Sequence, residues 1–151
     1  MTMEGTLDLP DAEATARLGA AVARALRPGE AVCLYGPLGA GKSTLARALV
    51  RALTTPHEDV PSPTFTIVQF YDGLHFPLAH FDLYRLERAD EAFEIGLDEA
   101  LEEGAAVIEW PERLGGRLPE DRLDIDIAIS GEGRTARLSP HGAWKGRKLE
   151  F

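Results

Sequence analysis

Nine consecutive residues carry the densest chemistry in the chain. Gly36-Pro37-Leu38-Gly39-Ala40-Gly41-Lys42-Ser43-Thr44 satisfies G-x-x-x-x-G-K-[ST], the pattern of a phosphate-binding loop. Glycines at 36, 39 and 41 let the main chain turn tightly enough for successive N–H groups to converge on an anion. Lys42 then reaches the terminal phosphates as a point charge, and the Ser43 hydroxyl is a ligand for magnesium. Such a match arises by chance in roughly one chain of this size in two hundred. Its flanks sharpen it: the apolar run 31–35 precedes it and a stretch of helical composition, 44–53, follows. A helix starting there turns the positive end of its dipole toward the phosphates.

Hydrolysis of a nucleotide also needs carboxylates near the metal. Two apolar runs end in one, Leu78-Ala-His-Phe-Asp82 and Ala105-Ala-Val-Ile-Glu109, both with the Walker B shape. Parallel strands beside the P-loop strand deliver their C-terminal ends to one crevice, where the two acids meet. One then binds magnesium, directly or through water, while the other positions or deprotonates the attacking water. Taken singly, either acid is equally well an ordinary turn cap. Ser62-Pro63-Thr64-Phe65 offers a switch-like hydroxyl to the γ-phosphate, or merely a capped turn. Trp110 is either core or a gate over the site. The histidines at 57, 75, 80 and 141 lack metal-ligand spacing, so no zinc site is expected.

The elements that must hold these groups follow from periodicity. Residues 6–9 alternate like a strand, and Asp11 caps a helix whose apolar face is Leu18, Ala21, Val22, Ala25 and Leu26. Pro28-Gly29 stops it. The strand 31–35, the loop and a helix over 42–53 come next. Residues 54–63 hold three prolines and form a surface loop. Residues 64–71 and 75–84 predict a hairpin through Asp72-Gly73. The acidic stretch 87–103 is helical and split at Gly96; its eight carboxylates read as a solvated face rather than a dock for a basic partner. A strand at 105–110, an irregular stretch 111–120, a strictly alternating strand 122–129, the turn Ser130-Gly-Glu-Gly133 and a strand 134–138 complete the chain. This is the order of an α/β fold, a P-loop NTPase three-layer sandwich whose mixed sheet is parallel near the nucleotide and antiparallel toward one edge.

With 151 residues, 44% of them hydrophobic, the chain makes one well-buried domain spanning 1–151. A formal charge of −9 argues against clamping nucleic acid directly. Any RNA is held by a partner. Lys145, Arg147 and Lys148 form a small basic tail read as solvated. The lone cysteine, Cys33, lies in a predicted strand and reads as buried and apolar. An acidic stretch 1–10 and the lack of a long apolar run argue against a signal peptide or a membrane span, so a cytoplasmic protein is expected.

The motifs also resemble a known family. Leu34-Tyr35 with the loop to Thr44, Ser62-Pro-Thr-Phe65, His80-Phe-Asp-Leu-Tyr-Arg85, Phe93-Glu-Ile-Gly-Leu97 and Ile108-Glu-Trp-Pro111 are similar, in order and spacing, to those of the bacterial TsaE family (formerly YjeE). The resemblance covers nearly the whole chain. It implies an ATPase, using ATP/ADP and magnesium, that assists the TsaB–TsaD complex. That complex places threonylcarbamoyl on the adenosine next to the anticodon of tRNAs reading codons that start with A. The ATPase binds between the partner subunits, meets tRNA only through the complex, and its hydrolysis resets the complex between turnovers. Carried over by motif, Lys42 contacts phosphates, Ser43 and Glu109 hold magnesium, Asp82 assists hydrolysis and Thr64 belongs to a switch-like loop. The resemblance further implies an adenine pocket near Asp11 and Gly133-Arg134. Pro37 stands where relatives often carry an acid.

A P-loop small-molecule kinase is the alternative, with Arg113, Arg117 and Arg122 around Gly115-Gly116 as its lid. A GTPase is disfavoured, because N-K-x-D guanine readout needs asparagine and the chain has none.

Overall fold

The run Ala31–Tyr35 is apolar on both sides, as a strand covered on two faces must be, and it forms β2 in the middle of the sheet. Val32 and Leu34 pack toward one layer of helices, while Ala31 and Cys33 pack toward the other. The computed structural model describes residues 3–151. Its remaining strands are β1 (Gly5–Leu9), β3 (Val68–Asp72), β4 (Pro77–Asp82), β5 (Ala105–Glu109), β6 (Arg122–Ser130) and β7 (Gly133–His141), and the sheet order is β1-β7-β6-β2-β5-β4-β3. The pairs β6–β2, β2–β5 and β5–β4 are parallel.

Helices α1 (Ala12–Ala25) and α2 (Lys42–Leu53) lie together on one face. Asp11 caps α1 as expected, its Oδ1 accepting the Ala14 N–H at 2.8 Å. The short helices α3 (Asp90–Glu94) and α4 (Leu97–Glu103) and a 3-10 turn at Pro111–Leu114 cover the opposite face. Gly96 separates α3 from α4 with φ 99°, a backbone state that glycine adopts at little cost. The sandwich therefore has the three layers expected. Among the described residues no helix is long and apolar enough to cross a membrane.

Three local expectations are corrected. The antiparallel pairs lie at both edges, β3–β4 on one side and β6–β7–β1 on the other, rather than at one. The predicted strand 64–71 begins only at Val68, because residues 63–67 close a turn in which the Ile67 N–H donates to Pro63 O at 2.6 Å and Ile67 takes φ 71°. A β-branched residue with positive φ is a conformational outlier that sequence propensity argues against. Finally, Arg147 is not part of a solvated tail. It makes a two-pronged pair with Glu30 at 2.7 Å on each prong, with both side chains under a tenth exposed.

Candidate active site

The P-loop runs from the C-terminal end of β2 to the first turn of α2. Glycine is required at its start for steric reasons: Gly36 has φ 140°, and a Cβ there would lie 2.4 Å from Ile127 O on β6. Gly41 enters α2 at φ 110° with no side-chain cap, so the first N–H groups of α2 keep no partner from a capping residue and face the cleft. Lys42 is 5% exposed. Its ammonium donates to Gly36 O and lies 3.6 Å from the Trp110 ring centroid. Burial pushes this ammonium down from the usual lysine value, against the raising pull of Glu109, Glu112 and Asp82. A desolvated cation among carbonyl and ring has most to gain from an anionic phosphate.

The two strand-end acids meet as the sequence expects. Asp82 and Glu109 are Cα partners in the parallel β4–β5 ladder, and Glu109 partners Leu34 just before the P-loop. Both carboxylates are buried. Ser43 Oγ donates to Glu109 Oε1 at 3.4 Å. Asp82 Oδ2 accepts the Thr64 hydroxyl at 3.0 Å, and its Oδ1 accepts the Tyr84 N–H at 3.0 Å. Ser62 Oγ is 2.8 Å from Thr64 Oγ1, so the 62–64 segment leans on Asp82. Gly39, Gly41, Lys42, Ser43, Thr44, Thr64, Asp82 and Glu109 thus line one cleft of ≈ 240 Å³ under Trp110.

An adjoining cleft of ≈ 180 Å³ gathers Asp11, Gly133 and Arg134 beside Gly39, Ala40, Gly41 and Thr44. The structure therefore brings these three residues beside the P-loop. It also gives two of them scaffold work. Asp11 caps α1, and the Arg134 guanidinium donates to Ala40 O and Gly39 O, each at 3.1 Å, fastening the loop to the β6–β7 turn. Gly133 allows close passage, since a Cβ there would sit 2.9 Å from Leu9 O. Gly36 lines neither cleft, and Ala40 is fully buried.

The donor set suits magnesium. One hydroxyl and one carboxylate converge beside the P-loop, both hard oxygen ligands, and magnesium is commonly held by one or two protein oxygens together with substrate phosphates and water. Among the described residues no group of three or more His, Cys, Asp or Glu could cage a metal on its own.

Sequence reasoning missed His80. Its Nε2 lies 2.6 Å from Glu109 Oε2, and both side chains are 3% exposed. The available signal was its position two residues before Asp82, on the same face of β4. The candidate lid arginines are dispersed: Arg113 lies 5.8 Å from the centroid of the Tyr84 ring, which packs on Trp110 at the cleft. Arg117 pairs with Asp90 and stacks on Phe93, while Arg122 begins β6 opposite Ala31, at the end of the sheet far from the P-loop.

The chain is similar to known proteins over most of its length. The family model described as "Threonylcarbamoyl adenosine biosynthesis protein TsaE" matches residues 9–137. A protein named tRNA threonylcarbamoyladenosine biosynthesis protein TsaE from Treponema pallidum is 39% identical over 123 residues, 81% of this chain and 90% of that protein. Its namesake from Bacillus subtilis is 38% identical over 128 residues, 84% and 77% of the two chains. The crystal structure of YdiB from Bacillus subtilis superposes with a TM-score of 0.75 at 29% identity, covering 94% of this chain and 88% of that one.

Proposed function

The chain belongs to the TsaE family, and from that premise we propose that it is a cytoplasmic, single-domain, magnesium-dependent ATPase of tRNA threonylcarbamoyladenosine biosynthesis. Its partners in this reading are TsaD and TsaB, and tRNA is met only through them. ATP lies with its phosphates in the P-loop and its adenosine end toward Asp11, Gly133 and Arg134. The main-chain amides of residues 39–44 and the Lys42 ammonium bind the β- and γ-phosphates. Ser43 and Glu109 hold magnesium, which when bound offsets the charge on the phosphate oxygens. Asp82 orients the attacking water, and the Thr64 hydroxyl, already on Asp82 Oδ2, steadies that carboxylate.

The observation that carries this reading is the register match of Asp82 with Glu109, which brings two buried carboxylates side by side into the cleft of the P-loop, where in this reading one serves the metal and the other the water. Of the three arginines named for a kinase lid, Arg113 lies near Tyr84 and Trp110 beside the cleft, while Arg117 is engaged with Asp90 and Arg122 lies at the far end of the sheet, so product analysis separates the two readings.

The test is phosphate release from ATP by the purified chain mixed with TsaB and TsaD, with and without tRNA. Free phosphate should appear, rise with partners, and vanish in Lys42→Ala and Glu109→Gln proteins that still melt cooperatively. A phosphorylated small acceptor in place of free phosphate would establish the kinase. Absence of calorimetric heat with magnesium and ATP, partners included, would end the nucleotide reading altogether.

A further inference from the structure

We propose that His80 is a positioning residue that fixes the rotation of the Glu109 carboxylate so that Oε1, and not Oε2, is presented to the magnesium site. The inference rests on the reading of Glu109 as a metal ligand and adds a residue to it. The β4 side chains alternate: Ala79 and Phe81 face the α3–α4 layer, while Leu78 faces the α1–α2 layer. His80 and Asp82 therefore share the face of Leu78. On β5, Val107 faces the α1–α2 layer, and Glu109 follows it by two. His80 pairs in register with Val107, one pleat below the Asp82–Glu109 pair. A position in that row is normally filled by an aliphatic side chain. An imidazole 2% exposed there costs free energy unless it is hydrogen-bonded.

Only one of its two nitrogens is bonded. Nε2 lies 2.6 Å from Glu109 Oε2, and since a carboxylate oxygen accepts, Nε2 carries the hydrogen. Nδ1 is buried with no hydrogen-bond partner. What the imidazole provides is directional. The terminal torsion of a glutamate is broad and nearly two-fold, so one contact from Ser43 at 3.4 Å does not fix the carboxylate plane. The short bond from His80 does. It occupies Oε2 and leaves Oε1 turned toward Ser43 and the phosphates, as outer-shell partners do for metal-binding carboxylates.

The test is calorimetric titration of ADP into the wild-type chain, His80→Leu and His80→Gln, each with excess magnesium and again in EDTA. The Gln side chain carries an N–H donor to about the place of Nε2, whereas Leu carries none. Magnesium should tighten ADP binding to the wild type. In His80→Leu that gain should shrink by about 10- to 100-fold while affinity in EDTA stays unchanged, and His80→Gln should recover most of it. Should His80→Leu fail to fold, His80→Asn takes its place, because its shorter amide cannot reach Oε2. A full magnesium gain in the Leu or Asn variant overturns the assignment. So does an equal loss with and without magnesium that tracks a lowered melting temperature, which is the mark of a purely structural role. If the wild type itself gains nothing from magnesium, the metal reading of Glu109 falls, and His80 falls with it.

Discussion

The Lys42 ammonium and the Trp110 ring are 3.6 Å apart, and the same ammonium donates to Gly36 O, the first carbonyl of the P-loop. Trp110 reaches that place because it takes φ 58° directly after Glu109, which folds its ring back over the cleft and against Tyr84 at 4.9 Å between centroids. The left-handed state costs a bulky residue free energy, which the contacts of the ring with Lys42 and Tyr84 help to offset. The lysine's positive charge is thus met by a ring face and a carbonyl. A phosphate must compete with both.

That competition gives a direct optical readout. Adding ADP or ATP with magnesium should change the emission of Trp110, because its cation partner is drawn toward phosphate. The other tryptophan, Trp144, is fully buried near the C-terminus and outside both clefts. Trp110→Phe should therefore remove the nucleotide-dependent change while leaving a steady Trp144 signal. A full-sized change in Trp110→Phe would show that the ring is not coupled to the site.

Asp82 should govern turnover and not affinity. Both of its oxygens accept hydrogen bonds from the protein, from Thr64 and from the Tyr84 main chain, so the carboxylate is aimed but makes no direct claim on ground-state phosphates. Asp82→Asn is expected to lower partner-stimulated phosphate release by about 10²–10⁴-fold, the usual worth of a positioned general base. The calorimetric Kd for ATP should stay close to that of the wild type. Equal losses in affinity and rate would recast Asp82 as a binding group.

Much of this site is legible from residues alone, and the legible part has a local cause. The P-loop is contiguous, and each acid ends an apolar run that must be a buried strand. The register that sets Asp82 opposite Glu109 is not local, since β4 and β5 are joined through two helices. The Arg134 bonds to Gly39 and Ala40 span more than ninety residues, and no periodicity encodes them. Ile67 at φ 71° runs against the propensity of its own side chain, which is why the hairpin starts later than expected. Arg147 looks solvated because its neighbours in sequence are polar, yet its partner Glu30 is 117 positions away. Sequence reading succeeds where the cause lies within one element or in the general geometry of parallel strands, and fails where one particular long-range pairing, or strain at a single residue, settles the matter.

Gly19 offers a stability test in which the usual sign reverses. Replacing a mid-helix glycine with alanine ordinarily stabilises by about 1 kcal/mol. Here a Cβ on Gly19 would come within 2.6 Å of Leu45 O and 3.1 Å of Ala48 Cβ, because α1 and α2 pack backbone to backbone at this point. Neither neighbour is the free end of a side chain, so the helices must part. Gly19→Ala is expected to destabilise by about 1–3 kcal/mol, in the range of overpacked cores. Urea unfolding measures it, and a rise in the midpoint would contradict the close packing.

The Glu30–Arg147 pair should be the strongest tie between the C-terminal segment and the body of the sheet. Glu30 precedes β2 and is 5% exposed; it accepts two bonds from Arg147 and one from the Arg27 N–H. The same guanidinium donates to Ala25 O and Ala143 O, so it also satisfies a carbonyl at the end of α1. Arg147→Met keeps the chain length but strands a buried carboxylate, a change that costs about 3–5 kcal/mol. Adding Glu30→Gln removes the stranded charge, so the double variant should be clearly more stable than Arg147→Met alone. Lys148→Met, an exposed neighbour, should stay within about 0.5 kcal/mol of the parent. Urea midpoints at constant slope decide it. If Arg147→Met matched Lys148→Met, the pair would be a surface contact and the segment would be held by Trp144 and Leu149 packing instead.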